Sequence, residues 1–264
     1  MSPARLFRVR HDGVPRFVLE RAGAWWLADG DLATGWRDGA RIAAPAPDTW
    51  LAPVEPSKLV CIGLNYRDHA AERGRPIPAS PMVFLKPSTA VIGPGAPIRI
   101  PPGVGRVDHE AELGVVIGRR ASGVPRGSAL DHVLGYTCVN DVTARDLQDR
   151  GVQYSHCKGY DTFAPLGPAI LLVRDPGELV VEGVVNGETR QRSTTRELIF
   201  PVDALVEYIS AIMTLLPGDV IATGTPAGIG PLAPRDVVTV RIGGIGELTN
   251  PVVTGVPGAG VGRG

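Results

Sequence analysis

Glycine and proline punctuation constrains this chain more than any other feature: 34 glycines and 25 prolines stand among 264 residues. Glycine weakens a helix interior and proline removes a backbone donor, so a bundle of long helices is excluded. The chain reads instead as many short strands joined by tight turns. Its length exceeds the ~100–200 residues of an ordinary domain but lies close to the ~200–250 of many single-domain β folds, so one substantial core is expected. Hydrophobic residues make up 44% and charged residues 20%, which excludes a disordered or fibrous chain.

Lys+Arg and Asp+Glu both number 27, so no net field draws the protein to nucleic acid or to an anionic membrane. No apolar run approaches the ~18 residues of a spanning helix, and residues 1–5 lead into charged positions instead of a signal-peptide core. Cys61, Cys138 and Cys157 form no CxxC pair, as expected of buried thiols in a reducing cytoplasm. The expectation is a cytoplasmic protein with neither nucleic acid nor membrane as a partner. The basic side is almost wholly arginine, since only Lys58, Lys86 and Lys158 are lysines.

Residues 6–10, 16–20 and 24–28 read as short strands around turns at His11-Asp12-Gly13 and Ala22-Gly23. They define a small β-rich N-terminal region, 1–55, ending in the proline-rich stretch 43–56. From Lys58 the pattern changes. Residues 59–63 are an apolar run suited to a buried strand, 65–73 make helical turns, and 74–81 form a mobile loop with three prolines. Further strands are expected at 83–85, 98–100, 110–117, 135–139, 169–173, 179–185, 220–223 and 237–242. Helices are expected at 128–134, at 141–150 with Asp141 capping its start, and at 201–215 with one apolar side. Residues 255–264 hold five glycines and read as a disordered tail. Many strands with few helices predict a mixed β fold around a wrapped sheet or barrel.

The sharpest chemical feature is Asp108-His109-Glu110-Ala111-Glu112-Leu113-Gly114. Alternate side chains of a strand share a face, so Glu110 and Glu112 lie together, about 6.5 Å apart by strand rise. Two carboxylates entering a strand that turns apolar repel each other and cost desolvation. A divalent cation relieves both costs, and all-oxygen donors favour Mg2+, Mn2+ or Ca2+ over Zn2+. A solvated strand face with arginine neighbours is the other reading. His109 falls on the opposite face. Asp141 offers a third carboxylate or a simple helix cap. Removing one acid of such a set is expected to leave the fold intact, because it relieves repulsion among the rest.

Lys158 either neutralises these acids or holds a substrate carboxylate, and Lys86 emerges from an apolar strand. His69 and Glu72 are three apart on a helical turn, where a carboxylate orienting an imidazole makes a general base near neutral pH. The loop Gly224-Thr225-Pro226-Ala227-Gly228-Ile229-Gly230 lacks the Lys-Ser/Thr of a P-loop. It is either a turn offering backbone N–H groups to an oxyanion or a structural turn.

In order, Cys61-Ile62-Gly63-Leu64-Asn65-Tyr66 with Asp68-His69, Phe84-Leu85-Lys86-Pro87-Ser88 and His109-Glu110-Ala111-Glu112-Leu113 resemble segments of the fumarylacetoacetate hydrolase family. So do Asn140-Asp141-Val142-Thr143-Ala144-Arg145-Asp146-Leu147-Gln148, Lys158-Gly159-Tyr160-Asp161, Val185-Asn186-Gly187 and Thr223 through Gly230. The resemblance covers about residues 58–253 and is to the small single-domain members. It implies a β-roll or distorted β-barrel with a few helices, residues 56–254 as the catalytic domain, and a homodimer. It further implies Mg2+ or Mn2+ on Glu110, Glu112 and Asp141, with small 2-oxo or diketo (di)carboxylic acids as substrates. Lys158 is then catalytic beside His69 and Glu72, while Lys86, Arg145, Gln148, Gly224 and Thr225 contact substrate. The reaction favoured is metal-dependent hydrolysis of a C–C bond in acylpyruvate- or fumarylpyruvate-like diketo acids, with His69 activating water. The alternatives are 2-hydroxyhepta-2,4-diene-1,7-dioate isomerisation or decarboxylation, oxaloacetate decarboxylation, and a catalytically silent binder of dicarboxylates.

Overall fold

The computed structural model describes residues 3–32, 34–148 and 153–255. The chain opens as an antiparallel meander of β1 (Arg5–His11), β2 (Val14–Arg21), β3 (Ala24–Asp31) and β4 (Gly35–Ile42). The first two turns are the predicted ones. Asp12 and Gly13, and then Ala22 and Gly23, all take positive φ, as the tight hairpin turns that match strand twist require. Strand β4 is not evident in the sequence because Arg37, Asp38 and Arg41 leave it no clean apolar face.

Next come β5 (Lys58–Gly63), α1 (Arg67–Glu72), β6 (Met82–Pro87), and the short β7 (Val91–Ile92), β8 (Ile98–Ile100) and β9 (Val107–His109). The centre of the chain holds β10 (Ala111–Ile117), β11 (Val133–Asn140), β12 (Thr143–Ala144), α2 (Arg145–Gln148), α3 (Ser155–Lys158) and β13 (Ala164–Leu171). Then follow β14 (Val180–Val185), β15 (Glu188–Thr194), α4 (Val202–Ile212), β16 (Val220–Ala222), β17 (Gly230–Pro231), β18 (Val237–Ile242) and β19 (Gly246–Thr254).

Among the described residues, the main sheet runs β4-β3-β2-β1-β13-β11-β10-β16-β5-β6, and a second runs β15-β14-β18-β19-β8. Strand β10 is buried along its whole length because it is covered on both faces. Leu113, Val115 and Ile117 pack with Val181, Val240 and Ile242 of the second sheet and with Leu205, Val206 and Ile209 of α4. Val116 points the other way, into a cluster with Leu6, Leu166, Ile170 and Val220. Each such side chain contributes about 1.5–3 kcal/mol on burial, which anchors the strand that carries Glu112. The fold is the expected one, dominated by mixed sheets with few helices.

Two local expectations need correction. Asp141 caps no helix: residues 143–144 are extended and pair with β9, and helix begins only at Arg145. The part of that expected helix at 149–150 lies outside the described residues, as do positions 256–264 of the expected tail. The helix expected at 128–134 is a 3-10 turn over Arg126–His132, cut short because Val133 already pairs in β11. Cys61, Cys138 and Cys157 are buried and free. No helix among the described residues is long and apolar enough to cross a membrane.

Candidate active site

The pairing of β10 with β11 sets Ala111 opposite Asn140, so the residues just beyond each, Glu110 and Asp141, meet at one end of the ladder. The Asp141 N–H donates to the Glu110 carbonyl at 2.9 Å, and the Glu110 N–H donates to Asn140 Oδ1 at 3.0 Å. Glu112 points the same way from inside the strand. Carboxylate oxygens of Glu110, Glu112 and Asp141 lie within 4.8 Å of one another, and all three residues are buried.

Buried carboxylates need compensation, and the structure supplies it unequally. Lys158 Nζ donates to Glu110 Oε2 at 2.8 Å, Asp141 Oδ2 at 2.6 Å and Thr143 Oγ1 at 2.8 Å. Its three donors are thereby all used within the protein. Lys86 Nζ, completely buried, donates to Asp141 Oδ1 at 2.5 Å and to the Val142 and Phe163 carbonyls. Arg145 donates to Asp108, Glu110 and the side-chain amide oxygen Oε1 of Gln148. Glu112 makes no ion pair among the described residues and accepts only the Gly224 N–H, at 2.8 Å. Asp108 is paired with both Arg106 and Arg145, so of Asp108, Glu110, Glu112 and Asp141 only Glu112 lacks a cationic partner among the described residues. The uncompensated charge sits on Glu112.

The electrostatics follow. Burial pushes the Glu112 carboxyl well above the usual range, and the charges of Asp141 and Glu110 push it further. Burial alone would raise Glu110 as well, but Lys158 and Arg145 outweigh it and hold that carboxyl down at about 2. Burial opposes the charge on Lys158, yet Asp141 and Glu110 raise its ammonium above the ordinary lysine range. A hard divalent cation fits this donor set. It would be held by Glu110, Glu112 and Asp141 and would supply the positive charge that Glu112 lacks.

A carboxyl that binds its proton more tightly folded than unfolded adds stability below the unfolded carboxyl range. That contribution is lost as pH rises toward the folded value. Glutamine at position 112 can still accept from Gly224 and has no proton to lose. Glu112→Gln is therefore expected to raise the melting temperature of the cation-free protein, with a gap over wild type that widens from pH 5 to pH 8. Thermal melts in EDTA check this. A gap that shrinks with pH would contradict the charge imbalance.

A cavity of about 230 Å3 opens in front of the acids. Glu110, Glu112, Lys158, Arg145, Gln148 and Thr225 line it, as does His69. His69 Nδ1 lies 2.8 Å from Glu72 Oε2, and Glu72 Oε1 accepts the Gly228 N–H at 3.0 Å. Asp141 stands behind Lys158, and Lys86 and Gly224 lie outside the lining: the Lys86 ammonium is consumed by Asp141, and the Gly224 N–H by Glu112. His109 turns away, its Nδ1 on Gln191 Oε1 at 3.0 Å, with the imidazole pKa lowered chiefly by burial.

Gln191 was not evident in the sequence. Its amide nitrogen donates to Thr225 Oγ1 and to the Pro226 carbonyl, and its oxygen accepts from Ala111 N, which ties the glycine-rich loop to β10. No motif marks it, since its partners lie 34 to 82 residues away.

A sheet-dominated mixed fold that buries a carboxylate triad beside a His–Glu pair defines a class of fold with a candidate cation site. The fumarylacetoacetate (FAA) hydrolase C-terminal family model matches residues 58–253, and the chain belongs to the fumarylacetoacetate hydrolase family. A Mycobacterium tuberculosis protein is 53% identical over 206 residues, covering 77% of this chain and 78% of its own length. The Xenopus laevis protein named oxaloacetate tautomerase fahd2, mitochondrial, is 43% identical over 216 residues, with 77% and 68% covered. The crystal structure of 5-carboxymethyl-2-hydroxymuconate delta-isomerase from Mycobacterium smegmatis superposes with a TM-score of 0.87 at 43% identity, covering 95% of this chain and 99% of that one.

Proposed function

We propose that this chain is a divalent-cation-dependent enzyme that moves a proton at the carbon beside the carbonyl of a small 2-oxo acid, a keto–enol isomerase. The observation that carries this reading is that His69, oriented by Glu72, lines the same cavity as Glu110 and Glu112. Mg2+ or Mn2+ held by Glu110, Glu112 and Asp141 would polarise the substrate carbonyl and favour its enolate.

The chain's own residues do the rest. With Nδ1–H donated to Glu72, the His69 Nε2 is left as the base for a substrate C–H. Glu72 is itself fixed by Gly228, so the imidazole keeps one orientation. Lys86 and Lys158 act as positioning residues that hold Asp141 and Glu110. Arg145 holds Glu110 and Gln148 at the cavity wall. Thr225 contacts substrate from the glycine-rich loop. Relatives named as an isomerase and a tautomerase support proton transfer.

The second reading, hydrolysis of a C–C bond in acylpyruvate-like diketo acids, uses the same His69 to take a proton from water. Incubation of the Mg2+-loaded protein with 2-oxo acids and acylpyruvates in D2O, followed by proton NMR, separates the two. Exchange at C3 that outpaces any cleavage is expected. Cleavage to pyruvate without prior exchange would install the hydrolase instead. Neither exchange nor cleavage across the panel would leave a silent dicarboxylate binder.

A further inference from the structure

Tyr66 is completely buried, yet its hydroxyl has no hydrogen-bond partner among the described residues. Burial takes away the water such a donor would otherwise bond, and a buried hydroxyl kept without a partner calls for a reason.

The backbone around it is firmly held. Asn65 Nδ2 donates to the Thr223 carbonyl at 2.7 Å and to the Phe200 carbonyl at 3.1 Å, while Asn65 Oδ1 accepts the Phe200 N–H at 2.8 Å. The Asn65 carbonyl accepts the Ile199 N–H at 2.9 Å, and Tyr66 forms a bridge with Leu198. The orphaned hydroxyl thus belongs to an ordered segment and not to a loose loop.

The same contacts bring this segment to the one acid that lacks a cation. In the main sheet only β16 separates β5 from β10. Asn65 approaches Gly224 so closely that a Cβ on the glycine would stand 2.8 Å from the Asn65 Cβ. Gly224 in turn donates its N–H to Glu112. The Glu112 charge reaches the Tyr66 phenol, whose pKa is raised first by burial and then by Glu112 and Asp68. Asp68 is only half-buried and has water to bond, whereas Glu112 is buried with a single accepted hydrogen bond. Gly63, Leu64 and His69 line the cavity and Tyr66 does not. It stands behind the wall, where it can act only through a neighbour.

We propose that Tyr66 is a positioning residue for Glu112: its hydroxyl donates to that carboxylate when a divalent cation is held by Glu110, Glu112 and Asp141. A carboxylate has about four acceptor sites, and Gly224 takes one. A second donor would fix the orientation in which the remaining oxygen is offered to the cation. This rests on the cation-binding part of the reading above and not on which reaction follows.

The test is Tyr66→Phe in the full chain, which removes the hydroxyl and keeps the ring. Two effects of opposite sign are expected. In EDTA the variant should melt above wild type by about 2–4 °C, because an unpaired buried donor is gone. Calorimetry should show its Mn2+ affinity falling about 10–100-fold, the usual cost of losing the partner of a metal ligand. A hydroxyl that merely fills space, or one that serves Asp68, predicts unchanged Mn2+ affinity, and that result overturns the proposal. A variant that melts lower in EDTA, or fails to fold, would reveal a hydroxyl already bonded and overturns it too. Wild type that binds no Mn2+ would remove the cation-binding reading itself, whereas equal binding by the two proteins removes only the role of Tyr66.

Discussion

Replacing His69 by alanine is expected to slow C3 proton exchange by about 10²–10⁴-fold, the usual worth of a positioned general base. Mn2+ affinity should not change, because His69 bonds to Glu72 and not to any of the three acids. Glu72→Gln should lose less. The amide can keep the Gly228 N–H contact through its oxygen but no longer carries the charge that stabilises a protonated imidazole. Proton NMR gives the rate and calorimetry gives the cation affinity. A parallel loss of both in His69→Ala would place the imidazole in the metal site instead of at the substrate.

Asp141→Ala should be the most damaging change to the fold among the acids, and it should abolish cation binding as well. It strands buried Lys86, whose one carboxylate partner is Asp141 among the described residues, and takes from buried Lys158 one of its two carboxylates. Breaking a buried pair from one side costs about 3–5 kcal/mol. For a chain of this size that is a fall in melting temperature of about 10 °C. This corrects the expectation that losing any one acid only relieves repulsion. The relief survives at Glu112 alone, since cations already compensate Glu110 and Asp141. Thermal melts of Asp141→Ala beside Glu112→Gln in EDTA should move in opposite directions. If both variants melted above wild type, the ion pairs around Asp141 would be net destabilising.

The sequence made the acids legible because a period-two strand with carboxylates entering an apolar run has few innocent explanations. It also placed His69 and Glu72 on one helical turn, and the order of motifs carried the fold. The partners of the lysines were not legible. Lys86 reaches the Phe163 carbonyl 77 residues away, and Arg145 reaches Asp108 across 37. Local patterning is blind to contacts of that range. The cap reading of Asp141 fails for a related reason: its local context resembles a helix cap, but two lysines from distant segments and the pairing of residues 143–144 with β9 decide its geometry, while its place beside Glu110 and Glu112 is as expected. Nothing in the sequence singles out Tyr66 within its motif, because only the fold shows a buried hydroxyl without a partner.

The N-terminal meander gives the cavity no residue, but it changes what the main sheet offers to other molecules. Strand β1 lies along β13, with Arg5 opposite Leu171 and Leu6 opposite Ile170. Without it, β13 would present unpaired backbone groups at Ile170 and Leu171, an apolar template for adding strands from other chains. With it, the open margin of the sheet moves outward to β4, where Arg37, Asp38 and Arg41 are exposed. Charged margins resist strand addition. The first forty residues thus exchange an apolar border of the sheet for a charged one.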